Sequence, residues 1–191
     1  MVPMIRDAPA TKARILEAAG IEFATYGLAG ARVDRLAALA GANKERIYAN
    51  FGSKEALFDA TVVANIQELL DTVPMDADDL PGYAERLFDF TIDHPHLLRL
   101  ALWHSLERPG RLEELPESAD SMAQKVSALR DAQRRGIVDD SVPAELLTTL
   151  ILGIVHAGLI LAPTPDNHAD LAGLRAATRL AVSRLTAPRA P

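Results

Sequence analysis

Arg32, Lys44, Arg46, Tyr48, Asn50 and Lys54 fall within 23 residues of one another. Arg and Lys pair with phosphate oxygens, and either can donate to a guanine edge. Asn can bond a phosphate or an adenine edge. One acid, Glu45, stands among them. It repels phosphate unless it accepts from a cytosine amine or pairs with a neighbouring Arg. Across residues 32–54 the count is five basic against two acidic side chains, net +3. Singly, each charge on a short helix is an ordinary solvated face; as a set they describe a surface for a polyanion. Catalytic chemistry has no comparable signal. The chain has no Cys, which excludes disulfides, thiolate nucleophiles, iron–sulfur clusters and Cys-ligated zinc. There is no P-loop, G-x-S-x-G, H-E-x-x-H or inward-spaced carboxylate pair. His94 and His96 flank Pro95 with no carboxylate constellation, and read as capping or surface groups. No catalytic residue, metal or cofactor is expected.

The elements that must hold these groups are short. From Thr11 the period is helical, with Ile15, Leu16, Ala19, Phe23 and Tyr26 on one face. Gly27 follows where a left-handed residue suits glycine. A short helix is predicted over 33–40, a turn at Gly41-Ala42-Asn43, and a second short helix over 44–50 with Asn43 as N-cap. Phe51-Gly52 breaks again, and Ser53 caps a longer helix to about residue 70, with Glu55 at its positive end. Helix, glycine turn, helix is the helix-turn-helix pattern. Ala37 must be small where the two helices cross, and Gly41 permits the turn. Leu36, Leu39 and Ile47 are expected to form a small core presenting Lys44, Glu45, Arg46 and Tyr48 outward. A helix presented in this way fits the major groove. Lys54, in the first turn of the next helix, adds to a ready anion site.

With the residues that follow, residues 11–58 resemble the N-terminal domain of the tetracycline-repressor (TetR) family of bacterial transcription regulators. The signposts are Ile15, Ala18, Ala19, Phe23 and Gly27, then Leu36, Ala37 and Ala40-Gly41, then Ile47-Tyr48, Phe51, Ser53-Lys54-Glu55 and Leu57. They span about a quarter of the chain. The resemblance implies that Lys44 and Arg46 meet DNA at the start of the recognition helix, and that Tyr48 and Lys54 contact phosphate. It also implies a divergent helical body that binds a small-molecule effector and dimerises. There are departures. Ala31 and Arg32 stand where Thr or Ser is common, so the usual cap is missing and Arg32 is left to phosphate. Glu45 replaces a small residue and Asn50 a frequent His or Tyr, which leaves the operator sequence open.

Composition agrees with a helical body. Ala (33) and Leu (27) supply nearly a third of 191 residues, against nine aromatics, which favours helix over a β-sandwich or barrel. Further helices are predicted over 81–93, 96–107, 118–135 and 143–162, and over 167–185 after Pro163 and Pro165. The fold expected is all-α, about nine helices, with a DNA-binding domain over 1–58 and a ligand-binding and dimerisation domain over 59–191. Residues 1–10 read as a loose arm, and residues 1–12 lack the apolar stretch of a secretory signal. Residues 146–165 carry no charge, but Thr148, Thr149, His156 and Pro163 interrupt them, so a buried or dimer-forming helix is expected rather than a membrane span. A soluble cytoplasmic protein follows.

Tyr83, Phe88, Trp103 and His104 lie in the body at helical spacings. Each is plain core or part of the effector pocket that the resemblance implies, whose walls need apolar surface and a few polar groups. The last two helices carry more apolar surface than one small body hides. Leu150, Ile154, His156, Leu159, Leu174 and Leu180 are therefore expected at a two-fold dimer interface. A dimer aligns two reading helices with the half-sites of a pseudo-palindromic double-stranded operator. The rival reading is a helical small-molecule carrier or enzyme whose reading head no longer works. Charge supports the division: residues 1–58 hold 8 basic and 6 acidic side chains, residues 59–191 hold 12 and 20. The net −6 of the whole chain therefore describes the body.

Overall fold

The computed structural model describes residues 8–161 and 168–188. Among these are nine helices of eight residues or more, one four-residue turn of helix, and no strand. In chain order they are α1 (Ala8–Gly30), α2 (Val33–Ala40), α3 (Lys44–Phe51), α4 (Lys54–Thr72), α5 (Leu80–Asp93), α6 (Pro95–Glu107), α7 (Arg111–Glu114), α8 (Pro116–Arg134), α9 (Ala144–Leu161) and α10 (His168–Thr186). The all-α expectation is met. The helix begins at Ala8, inside the arm expected over 1–10; the rest of that arm, and the break at 162–167, lie outside the described residues. The turn α7 lies past the Pro109-Gly110 stop. Pro116 opens α8 at a first position, where its missing N–H satisfies no intrahelical bond anyway. No helix among the described residues is long and apolar enough to cross a membrane.

Short-range chemistry places the ends. Gly41 takes left-handed geometry (φ 58°, ψ 38°) and its N–H closes on the Ala37 and Ala38 carbonyls. Asn43 Oδ1 accepts from the Arg46 N–H at 2.8 Å, and Ser53 Oγ accepts from the Ala56 N–H at 3.0 Å. Arg32, at the N-cap of α2, gives no side-chain cap, as its residue type dictates. Asp79 caps α5 through the Gly82 N–H. His94 ends that helix, with Nδ1 2.9 Å from the Phe90 carbonyl and its ring stacked on Phe90.

The chain divides into two compact units, residues 1–68 with 95–119 and residues 69–94 with 120–191. In the first, α1 packs on α2 and α6. Its core comprises Ile15, Ala19, Phe23, Leu36, Ile47, Leu57, Phe58 and Leu100. Phe23 and Phe58 meet with ring centroids 4.8 Å apart. Two apolar residues expected on buried faces are exposed. Leu39 is 58 % exposed because Leu36, Ala37 and Ala40 define the buried arc of α2, and Leu39 points about 100° away from its centre. Tyr26 is 47 % exposed, and its ring lies under the Arg35 guanidinium at 4.0 Å.

In the second unit α5 packs on α9 and α10. Leu80, Tyr83, Leu87, Phe88, Leu129, Leu147, Ile151 and Val182 are buried there. Arg175 binds Asp89 through Nε and Nη2 (2.7 and 2.8 Å) and Glu85 through Nη1 (2.8 Å), fixing α10 to α5.

Candidate nucleic-acid interface

The α2–α3 pair is built so that α3 is held by very little of itself. Ile47 is its one buried residue and Phe51 is half-buried; Lys44, Glu45, Arg46, Tyr48, Ala49 and Asn50 are all exposed. Ile47 enters the core beside Leu36 and Ala40, which fixes the helix along one line and turns the rest outward. The outward set is the one expected from sequence, and its electrostatics are more particular than a net +3. Lys44 Nζ lies 2.6 Å from Asp34 Oδ1, which raises the Lys44 pKa. Among the described residues Arg46 and Glu45 form no ion pair. Arg46 is thus the cation of α3 free to face a base or phosphate without first leaving a carboxylate. Asn50 Nδ2 donates to the Arg46 carbonyl at 2.6 Å, and Lys54 Nζ donates to the Ala31 carbonyl at 3.2 Å. Tyr48 is 42 % exposed.

Arg32 is exposed, and its N–H donates to Glu22 Oε1 at 2.7 Å. Glu22 is a residue that sequence reading missed. It is 2 % exposed and takes the Arg35 guanidinium through Nη2 at 2.5 Å and Nε at 2.9 Å. Burial pushes its carboxyl up, but bonds from Arg35 and the Arg32 N–H outweigh this and hold it below the ordinary value. Arg35, one of the five cations of residues 32–54, is therefore committed to orienting α2. The only signal in the sequence was an acid on an otherwise apolar face of α1.

Gly27 sets the angle at which the chain leaves α1. Its backbone (φ 66°, ψ −178°) is non-helical, in a region that is essentially glycine-only. The Leu28 and Ala29 N–H groups freed by this break donate to Glu107 of α6 at 2.5 and 2.9 Å.

The four residues expected around a ligand are divided between the two units. Tyr83 and Phe88 belong to the second unit, Trp103 and His104 to the first. Trp103 packs beside Gly27. His104 is 1 % exposed, with its ring against Phe58 (5.3 Å) and Nε2 3.2 Å from Asp59 Oδ1. Asp59 also accepts from Arg108 Nη2 (2.9 Å) and Arg111 Nε (3.2 Å). Helical spacing shows that such aromatics face inward, not what they face. Burial pushes the Asp59 carboxyl up, and the bonds from Arg108, His104 and Arg111 bring it below its usual 3.8. A depressed carboxylate stabilises the fold above its unfolded pKa and loses that contribution as pH falls through the folded value. Asp59→Asn is therefore expected to lower stability by about 2 kcal/mol at pH 7. The gap from wild type should close as pH drops below 3.8. Denaturant titrations between pH 7 and pH 2.5 check both; a gap that does not change with pH would refute the assignment.

Of the residues expected at a dimer interface, Leu150 (46 %) and Leu180 (50 %) are exposed, and Ile154, Leu159 and Leu174 are half-buried. His156 continues the row Thr148, Leu152, His156 along α9, one residue every four. Burial and the charge of Lys125 hold its pKa below the usual range, which places it near α8.

Residues 15–61 match the family described as bacterial regulatory proteins, tetR family, and residues 79–184 match the tetracyclin repressor-like C-terminal domain. The HTH-type transcriptional repressor SCO4008 of Streptomyces coelicolor is 44 % identical over 159 residues, 82 % of each chain. The solved structure of SCO4942 from the same organism superposes with a TM-score of 0.76 at 36 % identity, over 94 % of this chain and 99 % of that one. TylP, a TetR regulator from Streptomyces fradiae, shares the fold at 18 % identity (TM-score 0.73, 94 % and 88 % covered). With a reading helix that exposes all but its anchoring residues, and with both halves of the chain matched, the protein is a DNA-binding transcriptional regulator of the TetR family and not an enzyme.

Proposed function

We propose that the chain is a homodimeric repressor, acting in the cytoplasm on a pseudo-palindromic double-stranded operator and released by a small apolar or amphipathic effector bound in residues 59–191. The observation that carries the DNA half is the exposure of α3 around its single buried residue, Ile47, with Arg46 unpaired among the described residues. In this reading Arg46 reads a base edge and Glu45 accepts from a cytosine amine. Tyr48, Lys54, Arg32 and Asn50 hold the backbone, and Lys44 joins them on leaving Asp34. The dimer is supported by apolar surface left open on one chain: Leu146, Leu150 and Ile160 on α9 and Leu180 on α10, with Gly173, Ala176 and Ala177 exposed beside Leu180. Small residues there let a second copy approach closely. The nature of SCO4008, a repressor by name, supports the direction of regulation. The effector must bind one arrangement of the reading heads more tightly than the other.

A salt-dependent gel shift with DNA upstream of the protein's own gene is the test. Specific retardation is expected. Arg46→Ala should relax preference at one base pair, worth about 1–3 kcal/mol. Lys54→Ala should weaken binding to all sequences alike and lower the salt slope by about 1. Absence of specific retardation at low salt, with the dimer intact by light scattering, would sink the regulator reading of this head.

A further inference from the structure

Ile47 fixes more than the position of α3: it also fixes which residues face furthest from the core. Each step along an α-helix turns it by about 100°, so two steps either way from Ile47 reach about 160° from it, close to diametrically opposite. Those residues are Glu45 and Ala49, both exposed. Four apart, they are neighbours on one face, about 6 Å from each other along the axis. Phe51 falls only about 40° from Ile47, and it is half-buried as that angle requires. The remaining exposed residues leave along the flanks. Lys44 and Tyr48 share one side, where Lys44 Nζ meets Asp34 of α2 at 2.6 Å. Arg46 and Asn50 share the other, where Asn50 Nδ2 is folded back on the Arg46 carbonyl at 2.6 Å. The crest of α3 is therefore an acid and a methyl group, with its cations on the slopes.

A duplex offers the same division. Phosphates line the rims of the major groove and base edges form its floor. A helix seated there with its anchored line outward sets its slopes to the rims and its crest to the floor. Arg46 is long enough to reach the floor from its slope; Glu45 and Ala49 already face it. What they can read follows from their chemistry. An ionised carboxylate only accepts hydrogen bonds. Guanine shows two acceptors in the groove, thymine an acceptor and a methyl, and adenine an acceptor beside its donor. Cytosine alone offers a donor with no acceptor on the same base. Among the described residues no cation pairs with Glu45, so its oxygens are open to that donor. Ala49 offers only a methyl, the match for the C5 methyl of thymine, and its shortness lets the helix settle close to the floor. Bases on one strand lie about 3.4 Å apart along the duplex, so the separation of the two side chains spans about two base steps.

We propose that each half-site of the operator carries a cytosine read by Glu45 and, about two base steps away, a thymine whose C5 methyl packs on Ala49. The inference rests on the reading of α3 given above as the helix that meets the bases, and narrows it to two of them.

Glu45 also lies in the first turn of α3, where an acid suits the helix itself, so the test reads base preference rather than affinity. Selection by the full-length protein from a library of random-sequence duplexes, followed by sequencing, is expected to enrich half-sites holding this cytosine and thymine. Glu45→Gln should exchange the cytosine for adenine, because Gln both accepts from N6 and donates to N7, and should keep the rest of the half-site. Replacing each thymine of the enriched site in turn by deoxyuridine removes a methyl and nothing else. One such change per half-site should weaken retardation of that duplex about fourfold for wild type, and Ala49→Gly should bind both duplexes alike. The deoxyuridine series needs no variant, so it decides the thymine even where Ala49→Gly fails to fold. The proposal is overturned if Glu45→Gln enriches the same base as wild type, or if no thymine responds to loss of its methyl. The wider reading fails differently. A wild-type protein that enriches nothing overturns base reading by α3 and this assignment with it. Enriched half-sites indifferent to Glu45→Gln and to the methyl overturn this assignment alone.

Discussion

Phe58→Ala is expected to lower the unfolding free energy by about 3–5 kcal/mol, the range for removing a large aromatic ring from a filled core. Phe58 is fully buried in the first unit, its ring 4.8 Å from Phe23 and 5.3 Å from His104. Leu57 and Val62 of the same helix are buried too, so the surroundings cannot collapse into the space without moving α4 against α1. His104 would lose its packing face while keeping Asp59. Natural domains are stable by roughly 5–15 kcal/mol, so the loss is a large share of the total, and the variant should unfold and stop retarding DNA at a clearly lower temperature than wild type. Denaturant unfolding followed by circular dichroism measures the loss. A loss under about 1.5 kcal/mol would show that the ring is not the keystone of this core.

Gly27→Ala is expected to be nearly as damaging, by a different route. The residue holds φ 66° and ψ −178°, which costs an L-residue about 1–3 kcal/mol. A Cβ there would also stand 2.8 Å from Trp103 Cε3 and 2.9 Å from Glu107 Oε2. The indole cannot retreat by bending. Glu107 could, but only by releasing the Leu28 and Ala29 N–H groups that it binds. Together these place the loss at about 3 kcal/mol or more. Trp103 is the single Trp of the chain, so its fluorescence should shift in the same variant and report the site directly. Gly52 is the control: it too has positive φ (81°), but nothing lies within 4 Å of its would-be Cβ. Gly52→Ala should cost the backbone strain alone, about 1–3 kcal/mol, and leave the emission unchanged. Equal losses at the two glycines would mean that the Trp103 and Glu107 contacts contribute nothing.

These sites show what a sequence can and cannot carry. Gly41, Asn43 and Ser53 act on groups three or four residues away, so the ends of α2, α3 and α4 were legible, and so was the outward face of α3. Gly27 was legible as a helix end. Its contact with Trp103 was not, because 76 residues separate them along the chain. The same holds for Glu22 with Arg35 and for Asp34 with Lys44. A count of charges over residues 32–54 treats Arg35, Lys44 and Arg46 as equals. The structure spends the first on orientation, sets the second beside an acid, and leaves the third open. Leu39 failed for a geometric reason: its apolar character was right for a core, but its angle on α2 was wrong. His104 and Trp103 have helical spacings that core and pocket residues share, so their partners Asp59 and Gly27 were not legible in the sequence.

The slender anchoring of α3 has a consequence for how this regulator changes over time. Because Ile47, with half-buried Phe51 beside it, ties the helix down and six of its eight residues face outward, substitutions at those six positions touch little of the core. Exposed changes of that kind usually shift stability by no more than about 0.5 kcal/mol. The vocabulary of the helix can therefore drift, or be rewritten by design, while the scaffold beneath it keeps its melting point. Two duplicated copies of such a gene can part company in the DNA they recognise long before they differ in how they fold.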